Sequence, residues 1–175
     1  MLGQIQLVCV GNVSRGLLRE LAQPIMDTFK VQSLAGVALT HPQYALNPPR
    51  QQFHATAILR RLTAQLHDGQ LGIVGVCDVD LFTPEAEFVF GDSDREGRCA
   101  VMSIARLKAE VPPEILVRRA QAETVGAMGQ LLGLSACDDG HCAMFASRSP
   151  LDSDRKGTEL CADCRHDLTR LTKAG

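Results

Sequence analysis

Two close pairs of cysteines, Cys137-x4-Cys142 and Cys161-x2-Cys164, stand eighteen residues apart near the C-terminal end of this 175-residue chain. Short gaps within each pair and a longer loop between them are the spacing that closes four thiolates around one tetrahedral Zn²⁺. Four sulfurs fill every coordination position, so the ion is a structural clamp with no place for water or substrate. The alternative, four unrelated buried thiols, leaves the pairing unexplained. The segment after Leu134 is polar and reads as irregular. Such a segment cannot pack alone, which makes the metal its organiser. Cys137, Cys142, Cys161 and Cys164 are therefore the expected ligands of one structural zinc. Residues 137–175 are expected to form a metal-tied tail on a core of residues 1–136, within one domain.

Composition narrows the class. Hydrophobic residues make up 45% of the chain, enough for a real core, and the formal net charge is -2. A nucleic-acid or anionic-membrane partner would call for a concentrated basic patch. In the tail Arg148, Arg155, Lys156, Arg165, Arg170 and Lys173 are interleaved with Asp152, Asp154, Asp163 and Asp167, so neither partner is expected. The N-terminus shows no charged leader with an apolar run and cleavage site. No apolar stretch approaches the roughly 18–20 residues that cross a bilayer. Cys9, Cys77 and Cys99 sit in apolar, strand-like surroundings and read as buried free thiols. An odd cysteine total and a zinc-type quartet suit a reducing cytoplasm without disulfides. A monomer is expected.

Apolar runs at Ile5–Val10, Ser33–Thr40, Leu71–Val76, Phe88–Gly91 and Ala100–Ile104 read as strands, with an acidic loop at Asp92–Glu96. Ser14 caps a helix to about Phe29, with Pro24 as an obstacle inside it. A second helix is predicted from about Gln52 to His67, after the Asn47-Pro48-Pro49-Arg50 loop. A third runs from Glu114 to about Leu132, opened by Pro112-Pro113 and stopped by Gly133. Strands and helices alternate over the first two-thirds, which predicts an α/β fold with a largely parallel sheet.

Several stretches together resemble the archaemetzincins, a family of small zincin-fold metallopeptidases. Asn47-Pro48, Arg50, Gln52-Phe53-His54 and Ile58-Leu59 are similar to the family's loop-to-helix entry. Cys77–Phe82, Pro84 and Phe88–Gly91 resemble its central strand and rim, and Ser103–Leu107 the strand before its active-site helix. Gly133-Leu134, the four cysteines, Met144 and Asp154-Arg155-Lys156 resemble its zinc-bearing tail. The likeness spans almost the whole chain. It implies a mixed, mostly parallel zincin/metzincin-like sheet with packed helices and a C-terminal structural-zinc tail.

The resemblance also implies a loss. Archaemetzincins carry two histidines four residues apart on a helix, with a glutamate directly after the first. A glycine follows three residues after the second, and a third histidine precedes the first cysteine. Gly133 and Cys137 anchor the register, and Glu123-Thr124-Val125 supports it. The three histidine positions then hold Gly126, Gln130 and Ala136, and the glutamate position holds Ala127. Histidines four apart present two imidazoles to one metal while the glutamate activates its water. Glycine and alanine offer no ligand, and a neutral amide is a poor one. No catalytic zinc and no catalytic residue are therefore expected.

Other residues supply no replacement set. His54 reads as a partly buried residue at a helix start, and His41 and His67 as solvated. His141 is superfluous beside four cysteines. Glu123 reads as an exposed helical glutamate, and Asp78 and Asp80 as loop caps. Met144, which matches the methionine beneath the metal in such peptidases, reads as packing. The expected function is an inactive metallopeptidase homologue that binds a peptide or protein without cutting it, by strand addition at the Phe88–Gly91 rim. The alternative is an active zinc metalloprotease with ligands from unexpected positions.

Overall fold

The computed structural model describes residues 3–173. Strands β1 (Gly3–Val10), β2 (Val31–Ala35), β5 (Gly72–Cys77), β8 (Gly91–Asp94) and β9 (Cys99–Ser103) form the central sheet, in the order β2-β1-β5-β9-β8. The first four in that order run parallel and β8 pairs antiparallel with β9. β5 and β9 are buried at every residue, and β1 from Ile5 to Val10. Continuous apolar runs suit strands covered on both faces. Alternation assigns the faces: Ile5, Leu7 and Cys9 meet helices α1 (Arg15–Phe29) and α3 (Pro113–Leu131), whereas Val8 and Val10 meet α2 (Ala55–Thr63). A smaller sheet of β3 (Leu46–Asn47), β4 (Gln52–His54), β6 (Leu81–Thr83) and β7 (Ala86–Val89) adjoins it.

The helix signals act as their chemistry dictates. Ser14 Oγ accepts from Leu17 N–H at 3.1 Å and caps α1. Pro24 deprives the Glu20 carbonyl of its helical donor, and Gln121 Nε2 of α3 supplies one at 2.8 Å. After α3, Gly133 takes φ 100°. Gly133 N–H then meets Gln130 O at 2.9 Å and Leu134 N–H meets Gly129 O at 2.9 Å, the paired bonds of a Schellman stop.

Four segments differ from the sequence reading. The predicted Gln52–His67 helix is β4 followed by α2, because Phe53 N–H donates to Asp80 O and holds the entry extended; the helix ends at Thr63. The Ser33–Thr40 strand stops at Ala35, with only Leu39 bridging back to Val10. The acidic stretch expected as a loop is the edge strand β8, in which Asp92 is half-buried and Asp94 exposed. The tail is not irregular. It contains α4 (Pro150–Lys156), opened by a Ser149/Asp152 capping box, and α5 (Ala162–Lys173). Among the described residues no helix is long and apolar enough to cross a membrane.

Candidate functional site

Cys137 and Cys142 lie on the loop after α3, and Cys161 and Cys164 at the start of α5. Their four sulfurs all fall within 4.8 Å of one another, with Cys137 and Cys161 Sγ 3.8 Å apart. A tetrahedral Zn²⁺ with Zn–S of about 2.3 Å sets sulfurs about 3.8 Å apart, so this donor set fits zinc. Backbone N–H groups support the sulfurs: Asp139 N to Cys137, and Met144 N and Cys161 N to Cys142, each at 3.4 Å. The Cys164 N–H lowers the Cys161 pKa, while burial raises those of Cys137 and Cys164. Such a quartet can clamp an ion and leaves no open position on it. The exposed His141 ring faces Asp139 at 3.7 Å, outside the set.

A second feature is a cavity of about 170 Å³ between the Phe88–Gly91 rim, the α3 face carrying Glu123, Gly126, Ala127 and Gln130, and the tail segment Ala143–Ser147. Three of the four positions singled out by the family resemblance converge there. Ala136, the fourth, is exposed beside the quartet. A Cβ at Gly126 would lie 3.0 Å from the Ala143 carbonyl oxygen and 3.3 Å from Lys156 Nζ. One at Gly129 would overlap the sulfur of the buried Met144. Gln130 Oε1 accepts from Ser93 Oγ at 3.4 Å. Among the described residues, the cysteine quartet is the one place where three or more His, Cys, Asp or Glu side chains converge. The cavity residues do not fit a catalytic metal.

Glu123 corrects the sequence reading. It is not exposed: only 8% of its surface reaches solvent. Its Oε2 accepts from Lys156 Nζ at 3.1 Å and its Oε1 from the Ser153 hydroxyl. Lys156, more deeply buried still, also donates to Phe145 O at 3.1 Å. Sequence reasoning counted this lysine among the interleaved basic residues of the tail and missed its burial, because it ends a helix read as irregular chain. The Ser149-x2-Asp152 capping signal would have found that helix. One turn earlier, buried Arg119 grips Asp154 with two bonds of 2.8 Å and holds its carboxyl below the ordinary carboxylate range.

The loop acids orient the rim. Asp80 accepts two bonds from Arg106, at 2.7 and 2.9 Å, and one from Gln52 at 3.0 Å. Arg106 in turn lies 3.9 Å over the Phe88 ring, where Phe88 bounds the cavity. Asp78 caps Asn12 N–H at 3.3 Å. His54 is half-buried before α2 with its ring 4.3 Å from Phe82, and His41, His67 and His166 are exposed. Cys9, Cys77 and Cys99 are buried, and burial pushes the Cys77 thiol up to about 12, leaving it protonated at neutral pH.

Comparison with known proteins agrees with this layout. Residues 34–170 match the model of Peptidase family M54. The archaemetzincin of Methanocaldococcus jannaschii is 32% identical over 173 residues, covering 96% of this chain and 94% of that one. That of Methanopyrus kandleri is 35% identical over 134 residues, 77% of this chain and 75% of the other. Its crystal structure superposes with a TM-score of 0.84 at 28% identity, covering 97% and 96% of the two chains. A zinc-dependent peptidase from Methanocorpusculum labreanum gives 0.84 at 26% identity over 94% and 99%. With a family model matched over most of its length and relatives matched almost end to end, the chain belongs to the archaemetzincin family, Peptidase family M54.

Proposed function

We propose that this archaemetzincin-family chain holds one structural zinc on Cys137, Cys142, Cys161 and Cys164 and does not hydrolyse peptides, its cleft serving as a peptide-binding groove. The observation that carries the reading is the wall of the cleft. Gly126, Ala127 and Gln130 occupy it, and they offer no imidazole to a metal and no carboxylate to a water. Without both, the groove has no Lewis acid, and its carboxylate, Glu123, is engaged by Lys156 and Ser153. What it keeps is a rim suited to an extended ligand. β8 is paired on one side only, and β7 closes the small sheet beside it. Main-chain groups at such an edge bind an added strand without needing particular side chains. The odd cysteine total and the zinc-type quartet suit a reducing cytoplasm.

Metal analysis of the purified chain tests the reading. One zinc per chain is expected, lost when Cys137 and Cys142 are changed to serine, with no chelator-sensitive cleavage of a peptide library. A second tightly bound zinc, or zinc-dependent cleavage, contradicts it.

A further inference from the structure

Three side chains lining the cleft have a hydrogen-bond donor with no partner among the described residues. Lys156 Nζ carries three N–H bonds, and two are engaged by Glu123 and the Phe145 carbonyl. Gln130 accepts through Oε1, which leaves its Nε2 for the cavity. Ser147 Oγ, on the opposite wall, is buried and has no partner among the described residues. A cavity lined by spare donors takes a ligand that brings acceptors.

We infer that Lys156 is the anchor of the groove, its third N–H receiving a main-chain carbonyl from an internal stretch of extended peptide; the inference rests on the peptide-binding reading above. Charge selects the carbonyl. The ammonium is already neutralised by Glu123, and both side chains are buried, at 2% and 9% side-chain exposure. A carboxylate entering here would set a second negative charge beside Glu123 away from water. A neutral carbonyl adds no charge and satisfies the donor. Extended backbone also suits the geometry, since successive carbonyls point to opposite edges of a strand. One faces the Phe88–Gly91 rim while its neighbour faces the wall carrying Lys156. The room over Gly126 and Ala127, bounded by Phe88 and Met144, suits one short apolar side chain.

An array of hexapeptides, in one form acetylated and amidated at their ends and in a second form with a free C-terminal carboxylate, is to be screened with the full-length zinc-loaded protein. The strongest binders are titrated against wild type, Lys156→Met and Glu123→Gln/Lys156→Met. The double variant removes both charges together, so no buried carboxylate is stranded if the single variant misfolds. Capped peptides are expected to bind wild type and to bind both variants on the order of tenfold more weakly, with zinc content unchanged. The ¹⁵N resonance of Lys156 Nζ in wild type is expected to shift on saturation. Equal binding by wild type and the double variant, an unmoved resonance, or binding only of peptides with a free C-terminal carboxylate overturns the inference and leaves the peptide-binding reading standing. Absence of binding to wild type by either peptide form overturns both.

Discussion

At the residue scale, the glycines of α3 are held by their neighbours. By helix propensity alone, Gly129→Ala would gain about 1 kcal/mol. The added Cβ, however, overlaps the sulfur of Met144, a fully buried side chain, and meets Leu134 at 3.4 Å. Overpacking of this kind costs about 1–3 kcal/mol. The net expectation for Gly129→Ala is a lower melting temperature, by about 2–4 °C, read by thermal unfolding. A rise would mean that Met144 has room to move. Asp154 gives the pH counterpart. Arg119 depresses its pKa, so its contribution is present above the unfolded value near about 3.9 and is lost as pH falls through the lower folded value. Asp154 is 37% exposed, which limits the effect of Asp154→Asn to about 1–2 kcal/mol at pH 7. Stabilities of variant and wild type measured by urea unfolding should converge as the pH drops below that window. Of the site, the quartet was legible because thiolate spacing is local. The Glu123–Lys156 pair was not, because its members are 33 residues apart and the helix carrying the lysine went unread.

At the element scale, α1 and α3 share a hydrogen bond that only the proline makes necessary. Glu20 O would ordinarily receive the N–H of residue 24, which Pro24 lacks, and Gln121 Nε2 takes that role. Gln121→Leu should therefore destabilise wild type by about 0.5 kcal/mol, through loss of a hydrogen bond that water can partly replace at this exposed site. In a Pro24→Ala background, where the helix supplies its own donor, the same change should cost close to nothing. A double-mutant cycle by urea unfolding reads the difference; equal costs in both backgrounds would remove Gln121 from this role. Legibility differed between elements for physical reasons. β1, β5 and β9 are buried on both faces, so burial writes itself into the sequence as unbroken apolar runs. β8 lies at the sheet edge, where pairing is made by backbone and Asp92-Ser93-Asp94 carry no apolar pattern. Gln52–His54 is extended through pairing with β6, nearly thirty residues away, which helical spacing at Ile58 and Leu62 cannot anticipate. α5 turns Cys164, Leu168 and Leu171 to the core, and with Cys164 read as a zinc ligand only two leucines were left to signal a helix.

At the scale of the whole molecule, the question is whether the metal-tied tail is an appendix or part of the core, and metal removal decides it. Cys142, Ala143, Met144, Leu160 and Cys164 belong to the same buried cluster as α1 and α3. Thr28 Oγ1 of α1 donates to the tail carbonyl of Thr158 at 3.0 Å. Two buried charges on α3, Arg119 and Glu123, have their ion-pair partners in α4. Releasing the tail would part both pairs, and for the buried Glu123–Lys156 pair breaking one side costs about 3–5 kcal/mol. Binding of zinc to such quartets contributes about 10–16 kcal/mol in small peptides, as large as the stability of an ordinary domain. Chelation at neutral pH should therefore act beyond the tail. Amide hydrogen exchange is expected to show residues 137–173 and the α3 segment 119–131 losing protection together, with a single thermal transition at a lower temperature than in the zinc-loaded protein. Loss of protection confined to 137–173, with α3 as slow to exchange as before, would show that the core closes without the tail, and the cleft wall would then depend on the metal while the sheet did not.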